Sequence, residues 1–210
     1  GSPSTPSSVS VEHQIIWSSS GAFGHDFESF GSPACRVLTR GFYEVTLVHF
    51  YNDEQTILPE DWAGPGPPGG CAQFGWANGA FERHLLEFLG QGVGDDMHSW
   101  AIDGGRRKKW HCGSHAFGDL WAQGDVLGFA ADCESGRILF ARNGVWSTPF
   151  EGIEPARMAG LYPALSGDAP LAVRVNLGDR EFVHGPPDAS FLSMHAIGEQ
   201  PAETSSSGGG

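Results

Sequence analysis

Two stretches of this chain hold residue types that could do chemistry. In Gly94-Asp-Asp-Met-His98, followed by Asp103, three carboxylates and an imidazole fall close together in sequence. A metal-dependent hydrolase or a paired-carboxylate acid/base site would draw on Asp95, Asp96 and His98, but such groups must converge on one pocket, and spacing alone does not bring them there. A calcium loop wants oxygen ligands at alternating positions, and Met97 stands where a third would help. The favoured reading is structural: Asp95 and Asp96 accept hydrogen bonds from loop N–H groups, and Asp103-Gly104 makes a turn. The second stretch is His111, Cys112 and His115. Structural zinc takes four ligands, in two short pairs. Cys71 and Cys133 are isolated, so the second pair is missing and a packed loop is expected.

Other chemistries find no footing. No serine sits in a Gly-x-Ser-x-Gly elbow; Gly31-Ser-Pro and Leu165-Ser-Gly167 do not fit. The glycines at 64–70 and 92–94 are not followed by Lys-Ser/Thr opening a helix, as a phosphate cradle would require. No catalytic residue, metal or cofactor is expected. Twelve Lys+Arg against 25 Asp+Glu give a net charge of −13. The dense basic run is Arg106-Arg107-Lys108-Lys109. Four charges in one loop are a thin footprint for a polyanion, so nucleic acid and anionic membrane are not expected as main partners. An acidic or phosphorylated protein segment could dock there, with charge governing on-rate and register.

The elements that would position these residues are strands. The chain has 210 residues, 40% of them hydrophobic, enough for a full core in one domain. Its 31 glycines punctuate short apolar stretches, as in many short strands joined by tight turns. Leu171, Val173, Val175 and Leu177 alternate with Ala172, Arg174 and Asn176, and Tyr43, Val45 and Leu47 oppose Glu44 and Thr46, the period of a strand with one wet face. Runs 126–131 and 137–141 flank Asp132-Cys-Glu-Ser-Gly136, a hairpin with Gly136 at positive φ, and Asn143-Gly144 marks a second hairpin. Further strands are expected over 9–17, 72–77, 99–102, 161–165 and 181–184. In 80–89, Phe81, Leu85, Phe88 and Leu89 form a helical stripe ended by Gly90. Residues 53–70, with Pro59, Pro65, Pro67, Pro68 and four glycines, read as a long loop.

The expected fold is all-β, a bent antiparallel two-sheet β-sandwich with one short inserted helix. Residues 1–8 read as a flexible tail, 9–190 as the domain and 191–210 as a mostly disordered tail, of which Phe191, Leu192 and Met194 could dock as a short terminal segment. No apolar run reaches the length of a membrane-spanning helix, so membrane insertion is not expected. The first ten residues hold no basic cluster and no apolar stretch, so they do not read as a secretory signal. Four scattered cysteines then point to reduced thiols and a cytoplasmic setting.

Eight fragments in order carry a family resemblance: Gly41-Phe-Tyr-Glu-Val45, Ala72-Gln-Phe-Gly-Trp76, Gly94-Asp-Asp-Met-His-Ser-Trp-Ala-Ile-Asp-Gly104, Trp110-His111, Gly124-Asp-Val-Leu-Gly128, Gly136-Arg-Ile-Leu-Phe-Ala-Arg-Asn-Gly144, Tyr162-Pro-Ala164 and Val175-Asn-Leu-Gly178. Together they resemble a SPRY domain over about residues 36–187. The central run is closer to SPRY domains of the ryanodine-receptor and ubiquitin-ligase kind than of the tripartite-motif kind. The resemblance implies a bent β-sandwich and a non-enzymatic role, binding protein partners through loops at one rim, within a larger protein or assembly. Segment 80–89 and loop 53–70 are longer than a minimal domain needs, and specificity in this family lies in such variable loops.

The expected binding face therefore combines Glu60, Asp61 and Trp62 of loop 53–70 with Arg106, Arg107, Lys108 and Trp110. Trp76 and Trp100 read as core, Trp121 as a cover over a sheet edge, and Trp62, Trp110 and Trp146 as loop or turn residues that either fold back or anchor a contact. The alternatives are a scaffold domain fixed in a large complex, or a carbohydrate-binding sandwich using Trp62, Trp146 and Asn143.

Overall fold

A computed structural model describes residues 10–12, 17–20, 28–31, 36–50, 72–81, 92–167 and 171–198. The architecture is two facing seven-stranded sheets. The first runs β1 (Ser10–Glu12), β13 (Ala172–Asn176), β4 (Arg40–His49), β9 (Val126–Asp132), β10 (Arg137–Arg142), β11 (Val145–Phe150), with β14 (Leu192–Ser193) also pairing β4. The second runs β2 (Trp17–Ser20), β3 (Glu28–Gly31), β12 (Tyr162–Gly167), β5 (Ala72–Ala77), β6 (Ser99–Asp103), β7 (Lys108–Trp110), β8 (Ser114–Ala116). Pairing is antiparallel except for the short contacts of β1 with β13 and β14 with β4. The all-β sandwich expected from the sequence is the fold observed.

Both hairpins form where the glycines placed them. Gly136 has φ +67 in the β9–β10 turn, and Asn143 and Gly144, at φ 51 and 79, give the two positive-φ residues of a tight β10–β11 turn. Between the sheets lies an aromatic core. The Tyr43 ring stacks on Phe129 with centroids 5.1 Å apart and meets Trp76 edge-on at 5.0 Å. Its hydroxyl donates to the Gly75 carbonyl, so the one polar atom it buries is satisfied. Trp76 and Trp100 are buried in this core, as expected.

Four features differ from expectation. Trp121 is not an edge cover; it is buried beside Phe74 and Phe140, packed so close over Gly104 that a Cβ there would overlap its ring. Residues 181–184 form no strand. Instead the N–H groups of Val183, His184 and Gly185 donate to the Glu44 carboxylate at 2.8, 2.9 and 3.0 Å, which takes donors a ladder would need. For the same reason the outer face of β4 is not wet: Glu44 is buried, and Phe42 packs beneath Phe182 and Phe191. Finally, 9–17 is not one strand, because Ser10–Glu12 joins the first sheet and Trp17 opens a strand of the second.

Short helical turns occur at Pro155–Met158 and Met194–Gly198. Phe191 and Met194 are buried against the first sheet. The expected helix over 80–89 falls beyond Phe81, and loop 53–70 falls wholly, outside the described residues. So do residues 1–9 and 199–210.

Candidate functional site

The basic run is built on a buried carboxylate. β6 ends at Asp103, which is fully buried, and its Oδ1 accepts the N–H groups of Gly105 at 2.9 Å and Arg106 at 3.0 Å. These bonds fix the turn that returns the chain into β7. Oδ2 pairs with the Arg106 Nε. Burial raises the Asp103 pKa to about 6, a rise that the charge and hydrogen bonds of Arg106 and the Gly105 N–H only partly offset. The Arg106 guanidinium then lies 4.4 Å from the centre of the Trp110 ring, with the Lys108 ammonium 5.4 Å from the same ring.

These contacts sort the expected site residues. Arg106, Lys108 and Trp110 are brought together, but Arg106 serves mainly to hold the turn. Residues 108–110 are a strand, because Lys108, Lys109 and Trp110 pair with Asp103, Ile102 and Ala101 of β6. Trp110 is half-buried, with Gly94 against its Cβ and backbone. Lys109 turns to the first sheet, where its Nζ donates to the Pro149 carbonyl at 2.6 Å. Arg107 stands exposed at the turn, at φ 54. Glu60, Asp61 and Trp62 lie outside the described residues.

The two chemistry-bearing stretches are held in structural roles. Asp95 accepts from the Gln73 side chain and the Gly92 N–H, both at 2.8 Å, and Asp96 accepts from the His98 N–H at 3.0 Å and the Ser99 hydroxyl at 2.6 Å. His111 lies flat on Trp100, centroids 4.7 Å apart. Its Nδ1 sits 2.8 Å from the Ser99 carbonyl and its Nε2 3.0 Å from an Arg157 nitrogen. Since Arg157 can only donate, Nε2 accepts and Nδ1 carries the proton. Burial pushes the His111 pKa down, the Ser99 carbonyl opposes this, and Arg157 adds to it. Both ring nitrogens are therefore occupied. Among the described residues no three His, Cys, Asp or Glu side chains group as a metal site. Cys112 and Cys133 are free thiols, and burial together with the Asp132 and Glu134 charges pushes Cys133 up to about 12. Arg157, which also donates to the Met97 carbonyl at 2.8 Å, is a residue that sequence reasoning missed, since nothing in its local pattern marks it.

The carbohydrate candidates are engaged as well. Asn143 donates to Asp125 at 2.8 Å and accepts from the Val126 N–H at 2.9 Å, while the Trp146 ring packs against Phe42 and Gly128.

The domain is thus a two-sheet sandwich whose polar residues brace loops, with cations and an aromatic gathered on one hairpin. Residues 63–180, more than half of the chain, match the SPRY domain family, and the chain belongs to that family, a family of protein-interaction modules. It is also similar to the E3 ubiquitin-protein ligase RKP of Arabidopsis thaliana, 37% identical over 116 residues. That stretch is 54% of this chain and spans only 9% of the length of the relative. No helix among the described residues is long and apolar enough to cross a membrane.

Proposed function

We propose that this domain is a non-enzymatic recognition module within a larger protein, and that it binds an acidic or phosphorylated segment of a protein partner at the rim formed by the 104–110 hairpin. The observation that carries this reading is the division of labour within the basic run. Asp103 and Arg106 lock the turn, and Arg107 is left projecting from it. Lys108 and the Trp110 ring lie next along the strand. A rigid turn loses little entropy on binding, so its charges can select a partner at low cost. Loop 53–70, with Glu60, Asp61 and Trp62, supplies the rest of the rim in this reading. The relative in which the matching stretch is a small part of a ubiquitin ligase supports an embedded recognition role.

The test is affinity capture from native lysate, with partners identified by mass spectrometry and then re-measured with pure components. Arg107→Glu combined with Lys108→Glu is expected to weaken partner binding at least tenfold while leaving the melting temperature within about two degrees of wild type. Full binding by that double variant removes the hairpin from the site; loss with Trp62→Ala alone places recognition on loop 53–70.

A further inference from the structure

Among the described residues, β11 and β8 end the strand orders of their respective sheets. β7, the strand that pairs with β8, is tied to β11 by the Lys109 bond to Pro149. The 117–121 segment that follows β8 and the β10–β11 hairpin line an open groove of about 520 Å³. Phe117 and Phe140 line it, in edge-to-face contact at 6.2 Å, and Val145, 77% exposed, stands at its mouth.

Two features of the groove point to the chemistry of an occupant. The first is charge. Arg142 is neutralised by Asp125, its Nε 2.7 Å from Oδ2, and Asn143 is held by the same carboxylate. Asp119, exposed on the opposite wall, has no cation or hydrogen-bond donor paired with it among the described residues. The unmatched charge of the lining is therefore negative. The second is the sheet edge. Arg142 and Val145 flank the two-residue turn and pair directly, so the next pair, Ala141 and Trp146, is one whose N–H and C=O groups point away from each other. Trp146 thus turns its main-chain donor and acceptor off an edge of β11 that no strand pairs among the described residues, while its ring packs on the far face against Phe42. Pro149, inside β11, brings to this edge a residue without an N–H, a feature that discourages indefinite pairing.

We propose that this groove is a second docking surface, for a short extended peptide segment of a protein partner carrying alternating apolar and basic side chains. The segment adds beside β11, exchanging main-chain hydrogen bonds with Trp146. An apolar side chain enters between Phe117, Phe140 and Val145, and the neighbouring Lys or Arg reaches Asp119. This surface selects a cationic partner, whereas the hairpin at 104–110 selects an acidic one, so the two proposals fail separately.

The probe is a synthetic dodecapeptide library with Leu, Val or Phe alternating with Lys or Arg, compared with a matched library bearing Glu at the basic positions, both applied to the whole chain. The basic library is expected to yield binders. Asp119→Lys and Val145→Glu should each weaken the best binder at least tenfold, with unchanged melting because both side chains are exposed, and Arg107→Glu should not weaken it. The Trp146 amide should gain protection from hydrogen exchange on binding. The proposal is overturned if neither library yields a binder, if the Glu library binds as well, if both groove variants bind like wild type, or if the Trp146 amide gains no protection.

Discussion

The turns that follow Asp103 and Asp132 are built alike, and they behave oppositely. In each, an aspartate closes a strand, its Oδ1 accepts the N–H groups two and three residues on, and its Oδ2 meets an arginine. Yet the Asp103 pKa is raised to about 6, while that of Asp132 is lowered to about 2. Burial acts upward on both. At Asp103 it prevails, because one guanidinium answers it and the turn sits where Trp121 packs onto Gly104 in the core. At Asp132 burial is outweighed by the bonds from Ser135, from Arg137 and from Arg40, the last two each with a nitrogen 3.3 Å away. The same backbone pattern thus leaves the sign of the shift to depth, to the Ser135 side chain and to the number of cations that the fold delivers.

The largest expected effect is on the turn with one cation. Arg106→Ala leaves a buried carboxylate without its counter-charge and should cost about 3 kcal/mol, read by urea denaturation. Arg137→Ala should cost about 1 kcal/mol or less, since Arg137 is nearly half exposed and Arg40 remains. Equal losses in the two variants would break the comparison.

Next in size is the dependence on pH. Between about pH 4 and pH 6 folded Asp103 retains a proton that the unfolded chain has released, so its contribution to stability falls as pH rises. Asp132 contributes fully above its unfolded value, and that contribution is lost as pH falls from about 4 toward 2. Thermal melts across this range should show Asp103→Asn removing the decline with rising pH, and Asp132→Asn reducing the loss in acid. A shared response of both variants in one window would contradict the opposed shifts. The smallest effect concerns Arg107, whose left-handed backbone is unfavourable for any residue with a Cβ. Arg107→Gly should stabilise by less than about 1 kcal/mol in the same denaturation assay, while removing the charge proposed to meet the partner.

Much of the sandwich was legible because strand period and turn chemistry are local. The alternation at 171–177, the Asn143-Gly144 pair and the placing of Gly136 each depend on residues within a few positions, and each became the expected element. The errors arose where distant segments meet. Residues 181–184 look like a strand until Glu44, far back in the chain, takes their N–H groups. Trp121 looks like an edge cover until Gly104 lets it into the core. The basic run reads as four equivalent charges, but Asp103 claims Arg106, Pro149 claims Lys109, and only Arg107 projects.

That this chain is a β-sandwich of the SPRY family was readable from its residues alone, since apolar period, turn residues and ordered motifs are properties of neighbours along the chain. Which charges brace the molecule and which stay exposed emerged only in three dimensions, because burial and counter-ion distance exist only once separate strands lie side by side.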